Sequence, residues 1–319
     1  MAGSSKNERE LATALENRTD GTVAFESTIC AFLVMSAFTG NAVLCLSLYK
    51  IRGFRAPQNY YITCLAVADM LFAFVCMSFS LGALIKGKWI FGDAWCQVQG
   101  SLIFIFVDVS LFTMTLIAIN RYFRICKPMS VYQRLYSERN ILLSIILAWI
   151  ASIAVVVALF SFTNKPFRFH PGKYLCFPDM AHSKGVHRYT LCAYLSVSAV
   201  TFPTMTFCYF RVYKNVREHF ADIAKSGLVT DASRSFVNEA KISKMLFITV
   251  IAFLGFWTPS ICLDLYEAIH EQYSLPRQVY YWQIITFTCS SVVNPIIYGF
   301  MRKELRRAYK SILTCKLSR

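Results

Sequence analysis

Residues 140–162 read NILLSIILAWIASIAVVVALFSF, a stretch without a single charged side chain. An α-helix needs about 20 predominantly apolar residues to cross the hydrocarbon layer of a membrane, so this stretch predicts a membrane span. Six other stretches of the chain are also long and predominantly apolar, although some contain isolated charged residues. The seven predicted spans are residues 27–49, 59–84, 95–126, 140–162, 187–216, 242–270 and 279–301.

The composition agrees with these spans. Of the 319 residues, 56% are hydrophobic and only 16% are charged, and the mean hydropathy is +0.45. Such a chain is too uniformly apolar for a soluble globule. The predicted fold is therefore an all-α membrane protein, a seven-transmembrane helix bundle in a lipid bilayer, and its helices follow one another without a linker or repeat.

The net charge of +15 lies mainly in short loops. In a soluble protein this charge would indicate a nucleic-acid partner. Here Lys and Arg cluster after the first, third, fifth and seventh spans, and loops with such an excess face the cytoplasm. We therefore expect no nucleic acid, and we predict a multi-pass protein of the plasma membrane with an extracellular N-terminus and a cytoplasmic C-terminus.

This orientation divides the chain into three segments. Residues 1–26 are predicted to form an extracellular N-terminal tail, residues 27–301 the seven-transmembrane domain, and residues 302–319 a cytoplasmic helix and short tail. Asn17 begins the sugar-acceptor triplet Asn-Arg-Thr in the tail, which predicts glycosylation there.

The segment after the seventh span contains a predicted amphipathic helix and a candidate lipidation site. Leu305, Tyr309, Ile312 and Leu313 recur at helical spacing, opposite a row of Lys and Arg residues. This pattern predicts a short amphipathic helix, an eighth helix, lying on the inner leaflet. Cys315 follows it and is a candidate for palmitoylation, with a free thiol as the alternative.

Most of the twelve cysteines lie inside predicted spans, where thiols pack as small apolar groups. Only Cys96 and Cys176 are predicted outside, where an oxidising compartment would pair them. That disulfide would tether the second outer loop to the third span. No Cys and His spacing indicates a zinc site, so no such metal centre is expected.

Three features within the spans are costly in a bilayer. Arg121 ends the third span, Pro259 follows Trp257 in the sixth, and Pro295 follows Asn294 in the seventh. A buried guanidinium and helix-breaking prolines each require compensation, so each asks for a functional explanation. Together they predict the moving parts of a transmembrane signalling receptor.

An ordered set of motifs, each in its own span, carries a specific resemblance. The motifs are Gly40-Asn41, Leu65-Ala66-Val67-Ala68-Asp69, Trp89 before Cys96, Asn120-Arg121-Tyr122, Trp149, Phe253 with Trp257 and Pro259, and Asn294-Pro295-Ile296-Ile297-Tyr298. The chain resembles the rhodopsin-like (class A) G-protein-coupled receptors, with most likeness to melatonin receptors and opsins. The resemblance implies a receptor, not an enzyme, with a small extracellular ligand and a heterotrimeric G protein of the inhibitory class. It also implies arrestin and receptor kinases as partners.

Departures from these relatives leave the ligand class open. The span 279–301 contains no Lys, and Thr288 stands where opsins bind retinal, so covalent retinal is not expected. Ile103 replaces the Asp of amine receptors, and Ile261 replaces an Asn of melatonin receptors. One alternative function is an opsin-like photoreceptor with a non-covalent chromophore. A transporter or channel is a less favoured alternative, because the internal repeats typical of that class are not seen.

Asp69 is an ionisable group near mid-membrane and must face the bundle interior. The resemblance implies a sodium ion beside it, held by oxygen atoms that suit a hard cation. The implied sodium set is Asn41, Asp69, Ser110, Ser290, Ser291 and Asn294. The alternative is a protonated or water-bridged Asp69 that only joins helices, and no other metal or cofactor is expected.

The same resemblance implies a conformational switch. Arg121 would pair with Glu239 in the resting state, and Asn120 replaces the usual acidic neighbour, so Arg121 should lose one restraint. Pro259 should kink the sixth span and place Trp257 at the floor of an outer cavity. The alternative for Glu239 is a solvated surface residue. The predicted switch residues are Arg121, Tyr209, Glu239, Phe253, Trp257, Pro259, Asn294, Pro295 and Tyr298.

Asp108 is a carboxylate in the third span that no family motif explains. With Asp264 it would make an outer pocket acidic and favour a cationic ligand. The alternatives are a neutral Asp108 bonded to a neighbouring helix, and a nearby Glu267 that faces water. The predicted ligand contacts are Gln99, Ile103, Asp108, Trp257, Ile261, Asp264, Tyr281 and Thr288, with Gln283 nearby.

Overall fold

The computed structural model describes residues 2–50, 56–226, 231–270 and 273–314. Within these ranges seven helices are long and apolar enough to cross a membrane, which confirms the predicted bundle. They comprise α2 (Asp20–Lys50), α3 (Pro57–Leu71) continued by a π-helical turn (Phe72–Met77) and α4 (Ser78–Lys86), α5 (Gly92–Cys126), α7 (Glu138–Val157) with a 3₁₀ turn (Ala158–Ser161), α8 (Lys184–Ser226), α9 (Asp231–Ile269) and α10 (Arg277–Met301).

Shorter elements complete the chain. They are α1 (Ala2–Glu16), α6 (Met129–Leu135), the antiparallel strands β1 (Phe167–His170) and β2 (Leu175–Pro178), and α11 (Lys303–Leu313). The helix α11 is the predicted eighth helix, and its Leu305 is buried while Arg306 and Arg307 are exposed. Neither α1 nor the hairpin was predicted.

Local chemistry fixes several helix ends. The Ser137 hydroxyl accepts a hydrogen bond from the Asn140 amide and begins α7, with acidic Glu138 in the first turn. Pro57 and Pro276 stand at the starts of α3 and α10, where a missing N–H is harmless. Gly87 ends α4 at φ +73°, a conformation that favours glycine.

The bundle is apolar outside and polar along its axis. On α7, Leu143, Ile146, Leu147 and Ile150 are exposed, as expected of a face in contact with lipid. By contrast, the interior holds Asn41, Asp69, Asn120, Arg121 and Asn294, all nearly inaccessible. Lipid cannot hydrogen-bond these groups, so their partners come from neighbouring helices.

The helix α5 is the centre of the bundle. It packs against α3, α7, α8 and α9, and it has buried residues from Cys96 at its outer end to Arg121 near its inner end. Any group on its inward face is therefore positioned by four neighbours. This arrangement explains why α5 carries both Asp108 and Arg121.

A disulfide joins Cys96 of α5 to Cys176 of β2, which confirms the predicted pairing. The hairpin lies close against the outer end of α5, where the Gln97 side chain donates to the Phe167 carbonyl (2.7 Å) and accepts from its amide (3.0 Å). A Cβ on Gly100 would lie 2.5 Å from the Phe167 ring, so this close approach requires glycine.

The predicted extracellular tail contains α1 and the beginning of α2, which starts at Asp20. Glu26, within this tail, is buried and accepts hydrogen bonds from Arg18 (2.7 Å) and from both terminal nitrogens of Arg277 (3.0 and 2.6 Å). All three side chains are at most 7% exposed. This triad ties the α1–α2 connection to the outer end of α10.

The substitution Glu26→Gln tests the triad. A neutral amide would leave two buried guanidinium groups without their carboxylate, and breaking a buried ion pair on one side costs about 3–5 kcal/mol. We expect a clear fall in the thermal unfolding midpoint of the purified protein. The control is Glu16→Gln at an exposed site; equal midpoints for the two variants would contradict the role of the triad.

Candidate functional site

A cavity of about 130 Å³ opens between the outer halves of α5, α8, α9 and α10, beneath the β1–β2 hairpin. Its wall is largely apolar and aromatic, as is usual for small-molecule sites. Five predicted ligand contacts lie in this wall: Ile103, Asp108, Trp257, Ile261 and Asp264. The nearby Gln283 also lines it.

Three other predicted contacts, Gln99, Tyr281 and Thr288, lie outside the cavity wall. The Gln99 amide is used within the fold: its nitrogen donates to the Cys76 carbonyl (2.9 Å) and the Ser80 hydroxyl (3.0 Å), and its oxygen accepts from the Cys176 amide (3.0 Å). Tyr281 donates to the Glu26 carbonyl (3.2 Å), and Thr288 donates to the Ile284 carbonyl of its own helix (2.8 Å).

An ion pair lies in the outer part of the cavity wall. Lys173, from the turn of the hairpin, donates to Asp264 (2.6 Å) and lies 3.8 Å from the centre of the Phe177 ring. Gln283 also donates to Asp264 (2.9 Å). Sequence reasoning missed Lys173, because a loop residue carries no periodic signal and its placement depends on the disulfide and strand pairing.

A buried polar cluster of His170, Glu267 and Tyr280 connects the same hairpin to α9 and α10. Glu267 is 3% exposed and accepts from the Tyr280 hydroxyl and the Ser274 amide (3.2 Å), so the expectation that it faces water is wrong. His170 accepts from the Lys173 amide (3.2 Å) and lies 3.8 Å from Glu267. Burial lowers the pKa of His170 and keeps it neutral, although Glu267 opposes this shift.

A second, smaller cavity of about 20 Å³ lies below the first, next to Asp69. The Asp69 carboxylate accepts from Ser291 (2.7 Å) and Asn294 (2.9 Å), and Ser110 and Ser290 also line the space. Four of the five other members of the predicted sodium set are thus brought to Asp69. Asn41 is the exception: it donates to the carbonyls of Ala37 and Ser291 and does not line the cavity.

Trp257 separates the two cavities and lines both. Its indole nitrogen donates to the Ser290 hydroxyl (3.3 Å), and its ring stacks on Phe253 with centroids 4.9 Å apart. Pro259 lies inside α9 and Pro295 inside α10, as predicted. The Tyr309 hydroxyl of α11 donates to the Pro295 carbonyl (3.1 Å), which joins the eighth helix to this segment.

Arg121 is fully buried at the inner end of α5 and is held by three partners. It donates to Glu239 of α9 (3.1 Å), to Gln58 of α3 (3.1 Å) and to the Asn120 oxygen (3.2 and 2.6 Å). Asn120 therefore restrains Arg121, contrary to expectation, because a neutral amide oxygen accepts as a carboxylate does. Glu239 also accepts from Arg124 (2.8 Å) and is not simply solvated.

The two switch tyrosines are buried near this network. Tyr209 is 6% exposed and Tyr298 is inaccessible. The Tyr209 hydroxyl is buried without a hydrogen-bond partner among the described residues, so it has donor capacity for another arrangement of the helices.

Comparison with known proteins decides the family. Residues 40–298 match the model of the 7 transmembrane receptor (rhodopsin family). The chain belongs to this family. The match covers every motif from Asn41 to Tyr298, and the receptor is therefore a G-protein-coupled receptor and not an enzyme.

Relatives of known sequence place the receptor among the melatonin receptors and opsins. It is 29% identical to melatonin receptor type 1B-B of Danio rerio, over 92% of this chain and 82% of that protein. It is 28% identical to melatonin receptor type 1A of Gallus gallus (90% and 79%) and 25% identical to the freshwater form of rhodopsin of Anguilla anguilla (89% and 79%). The crystal structure of squid rhodopsin shares the fold, with a TM-score of 0.82 at 23% identity over 95% of this chain and 89% of that one.

Of the two predicted modification sites, the structure describes only one. Asn17 is exposed at the turn between α1 and α2, where a sugar can be attached. Cys315 lies outside the described residues.

The depressed pKa of His170 predicts a loss of stability in mild acid. The unfolded chain takes up a proton near its ordinary value of 6.5, whereas the folded receptor does so only at lower pH. Stability is thus fully present above about pH 6.5 and falls below it, by up to about 1.4 kcal/mol per pH unit until the folded pKa is reached. Thermal unfolding at several pH values measures this fall.

His170→Gln removes the titrating group and should flatten that pH dependence relative to the wild type. The matched control is His182→Gln, at a half-exposed site on the same loop, which should leave the dependence in place. A His170→Gln receptor with the wild-type pH profile would contradict the assignment.

Proposed function

We propose that a small extracellular ligand binds in the outer cavity and that the receptor then activates a heterotrimeric G protein of the inhibitory class. One observation carries this proposal: Trp257 is a wall shared by the outer cavity and the polar cavity at Asp69. A ligand that displaces the indole also changes its hydrogen bond to Ser290. The choice of G-protein class rests on the melatonin receptors among the relatives.

The helix α9 is the element whose position such a ligand would change. Pro259 interrupts its backbone hydrogen bonds, so its inner part can move relative to its outer part. Phe253, stacked on Trp257, lies on that inner side and belongs to the same apolar cluster as Met205 and Tyr209 of α8. Repacking at Trp257 would therefore favour one of two arrangements of α9, which is a population shift.

The inner ends of α5 and α9 are held together by charge in the resting state. Glu239 of α9 bridges Arg121 and Arg124 of α5. Outward movement of α9 must break both contacts and would free Arg121 for a G protein at the cytoplasmic face. Glu239 is 21% exposed, so water partly screens these pairs and a modest ligand preference is enough to break them.

We further propose that a sodium ion occupies the cavity beside Asp69. The fit is chemical and steric: one carboxylate and the hydroxyls of Ser110, Ser290 and Ser291 supply oxygen ligands, and about 20 Å³ is the volume of a water-sized particle. The Trp257 indole contacts Ser290, so an ion bound there would favour the resting position of the indole.

The remaining parts of the proposal follow the family. We propose a plasma-membrane receptor with its N-terminus outside, a sugar on Asn17, palmitate on Cys315, and arrestin and receptor kinases as cytoplasmic partners. The exposure of Asn17 supports the sugar, and the basic face of α11, which suits the membrane surface, supports palmitate on the nearby Cys315. Thr288, where opsins have Lys, supports a receptor without covalent retinal.

The substitution Glu239→Gln tests the resting-state lock. It removes the charge that holds Arg121 and Arg124, so the active arrangement becomes relatively more stable. For a loss of about 1 kcal/mol, basal nucleotide exchange on a reconstituted inhibitory G protein should rise roughly fivefold. Binding of a non-hydrolysable GTP analogue measures this rate without any knowledge of the ligand.

The matched control for that experiment is Glu218→Gln, on the cytoplasmic part of α8. Glu218 is 62% exposed and pairs only loosely with Lys214 (3.9 Å), so basal exchange should stay at the wild-type rate. Unchanged exchange in Glu239→Gln would refute the lock, and absence of exchange in every variant would refute coupling to this class of G protein.

Sodium binding is tested by replacing NaCl with choline chloride at constant ionic strength. The thermal unfolding midpoint of the receptor should fall in choline, because the ion stabilises the state that binds it. In Asp69→Asn the two salts should give the same midpoint. Asp93→Asn, at an exposed carboxylate paired with Lys165, should retain the wild-type difference, and a wild-type receptor indifferent to sodium would rule out the site.

A further inference from the structure

We propose that the outer cavity binds an amphipathic amine, whose protonated nitrogen pairs with Asp108 and whose apolar body fills the space between the hairpin and Trp257. This inference rests on the proposed function in one respect, namely that the outer cavity is the ligand site. It assigns both the chemical class of the ligand and the residue that selects it.

Asp108 is the exception among the carboxyl groups that the described chain shields from solvent, wholly or in part. Each of the others has hydrogen-bond or ion-pair partners: Asp69 with Ser291 and Asn294, Glu26 with Arg18 and Arg277, Glu239 with Arg121 and Arg124, Glu267 with Tyr280, and Asp264 with Lys173 and Gln283. Asp108 lines the cavity and has no hydrogen bond or ion pair to any described residue. The alternative of a carboxyl bonded to a neighbouring helix is therefore not observed.

Two hydroxyl groups of the cavity wall do not pair with Asp108: one donates to another acceptor, and the other has no partner among the described residues. Tyr189 lies in the cavity wall, but its hydroxyl donates to the Val155 carbonyl (2.8 Å). Thr190 lines the wall too, and its hydroxyl is buried without a partner among the described residues. A ligand donor is thus the group that completes the polar chemistry around Asp108.

The charges of the cavity wall determine the sign of the ligand. The wall contains three acidic or basic side chains, namely Asp108, Asp264 and Lys173. Lys173 and Asp264 neutralise each other at 2.6 Å. The remaining acidic group is Asp108, and a protonated amine beside it would supply the opposite charge that an ionised carboxylate requires in a low-dielectric site.

The rest of the wall determines the body of the ligand. Phe104, Phe177, Phe202 and Phe287, with Trp257, supply aromatic surface around the cavity. An aromatic or alicyclic body would bury apolar area there at about 25 cal/mol per Å². A ligand of this kind has one charged end and one apolar end, which is the definition of an amphipathic amine.

The depth of Asp108 distinguishes this site from that of the amine receptors. Those receptors have an Asp at the position of Ile103, which here is an apolar part of the same wall. Asp108 lies five residues farther along α5, about 7–8 Å deeper at the rise of an α-helix. The amine would therefore point inward, toward the level of Trp257, and not toward the hairpin.

The first experiment compares matched probes on the purified receptor in lipid nanodiscs. Tryptamine, phenethylamine and naphthylethylamine are each paired with their N-acetyl derivatives, which keep the aromatic body and lose the charge. Dissociation constants come from the dependence of the unfolding midpoint on probe concentration. For at least one pair the amine should bind about tenfold tighter or more, and Asp108→Asn should abolish that preference.

The matched control in that experiment is Asp93→Asn, a substitution of the same kind at an exposed carboxylate outside the cavity, which should leave the amine preference in place. A preference for the neutral member of every pair overturns the proposal. So does a panel in which no amine is favoured, and so does an amine preference that persists in Asp108→Asn.

The second experiment needs no ligand. Asp108→Asn replaces a carboxyl group that pairs with no described residue by a neutral amide of the same size, so in mildly alkaline buffer, where an acid ionises, the unfolding midpoint of the ligand-free variant should be about 2–4 °C higher than that of the wild type. Asp264→Asn should lower it, because Lys173 loses its partner. An unchanged or lower midpoint for Asp108→Asn would show that the carboxylate is compensated within the protein and would overturn the inference.

The proposed receptor function and the assigned ligand class can be refuted independently. Basal G-protein exchange in Glu239→Gln tests the proposed receptor function and involves neither a ligand nor Asp108. A receptor that passes that test and shows no amine preference keeps its function and loses only the assigned ligand class.

Discussion

Polar groups at membrane depth must be satisfied by other parts of the bundle, since lipid offers no hydrogen bonds. In this receptor the constraint produces contacts between helices along the axis, among them Asp69 with Asn294 and Arg121 with Glu239. Each contact joins helices distant in the sequence, so the polar interior determines which helices are neighbours. The same contacts are where the helices can be released from one another, because each is a discrete pair that is either made or broken.

The outer end of the bundle is closed more completely than a receptor with free loops would be. The disulfide fixes β2 to α5, the Lys173–Asp264 and His170–Glu267 contacts reach α9, and the Arg18–Glu26–Arg277 triad holds the N-terminal segment on α10. The helix α1 adds Leu11, which packs against Tyr273 and Tyr280. These contacts form an ordered cap over the outer cavity, and the cap contributes Lys173 to the cavity wall itself.

Trp257 connects the chemistry of the two cavities with the movement of α9. It contacts the outer cavity on one side and the Asp69 cavity on the other, and its stacking on Phe253 continues toward the α8 residues that include Tyr209. A tightly packed interior responds to a displaced side chain by changing between discrete arrangements. Asp108 lines the outer cavity without a hydrogen-bond partner among the described residues, whereas Asp69, beside the inner cavity, accepts from Ser291 and Asn294.

The sequence alone determined the seven spans, the disulfide, the eighth helix and the family, because apolar length, cysteine placement and ordered motifs are local or additive properties. It also brought Asp69, Ser291 and Asn294 together, and Arg121 with Glu239. The tertiary structure decided three outcomes that sequence periodicity does not predict. Gln99 and Tyr281 form hydrogen bonds within the fold, Glu267 is buried, and Lys173 lines the cavity. Those outcomes depend on which groups meet across the hairpin, α1 and the helix ends, and pairing between segments far apart in sequence is set by packing and charge in three dimensions.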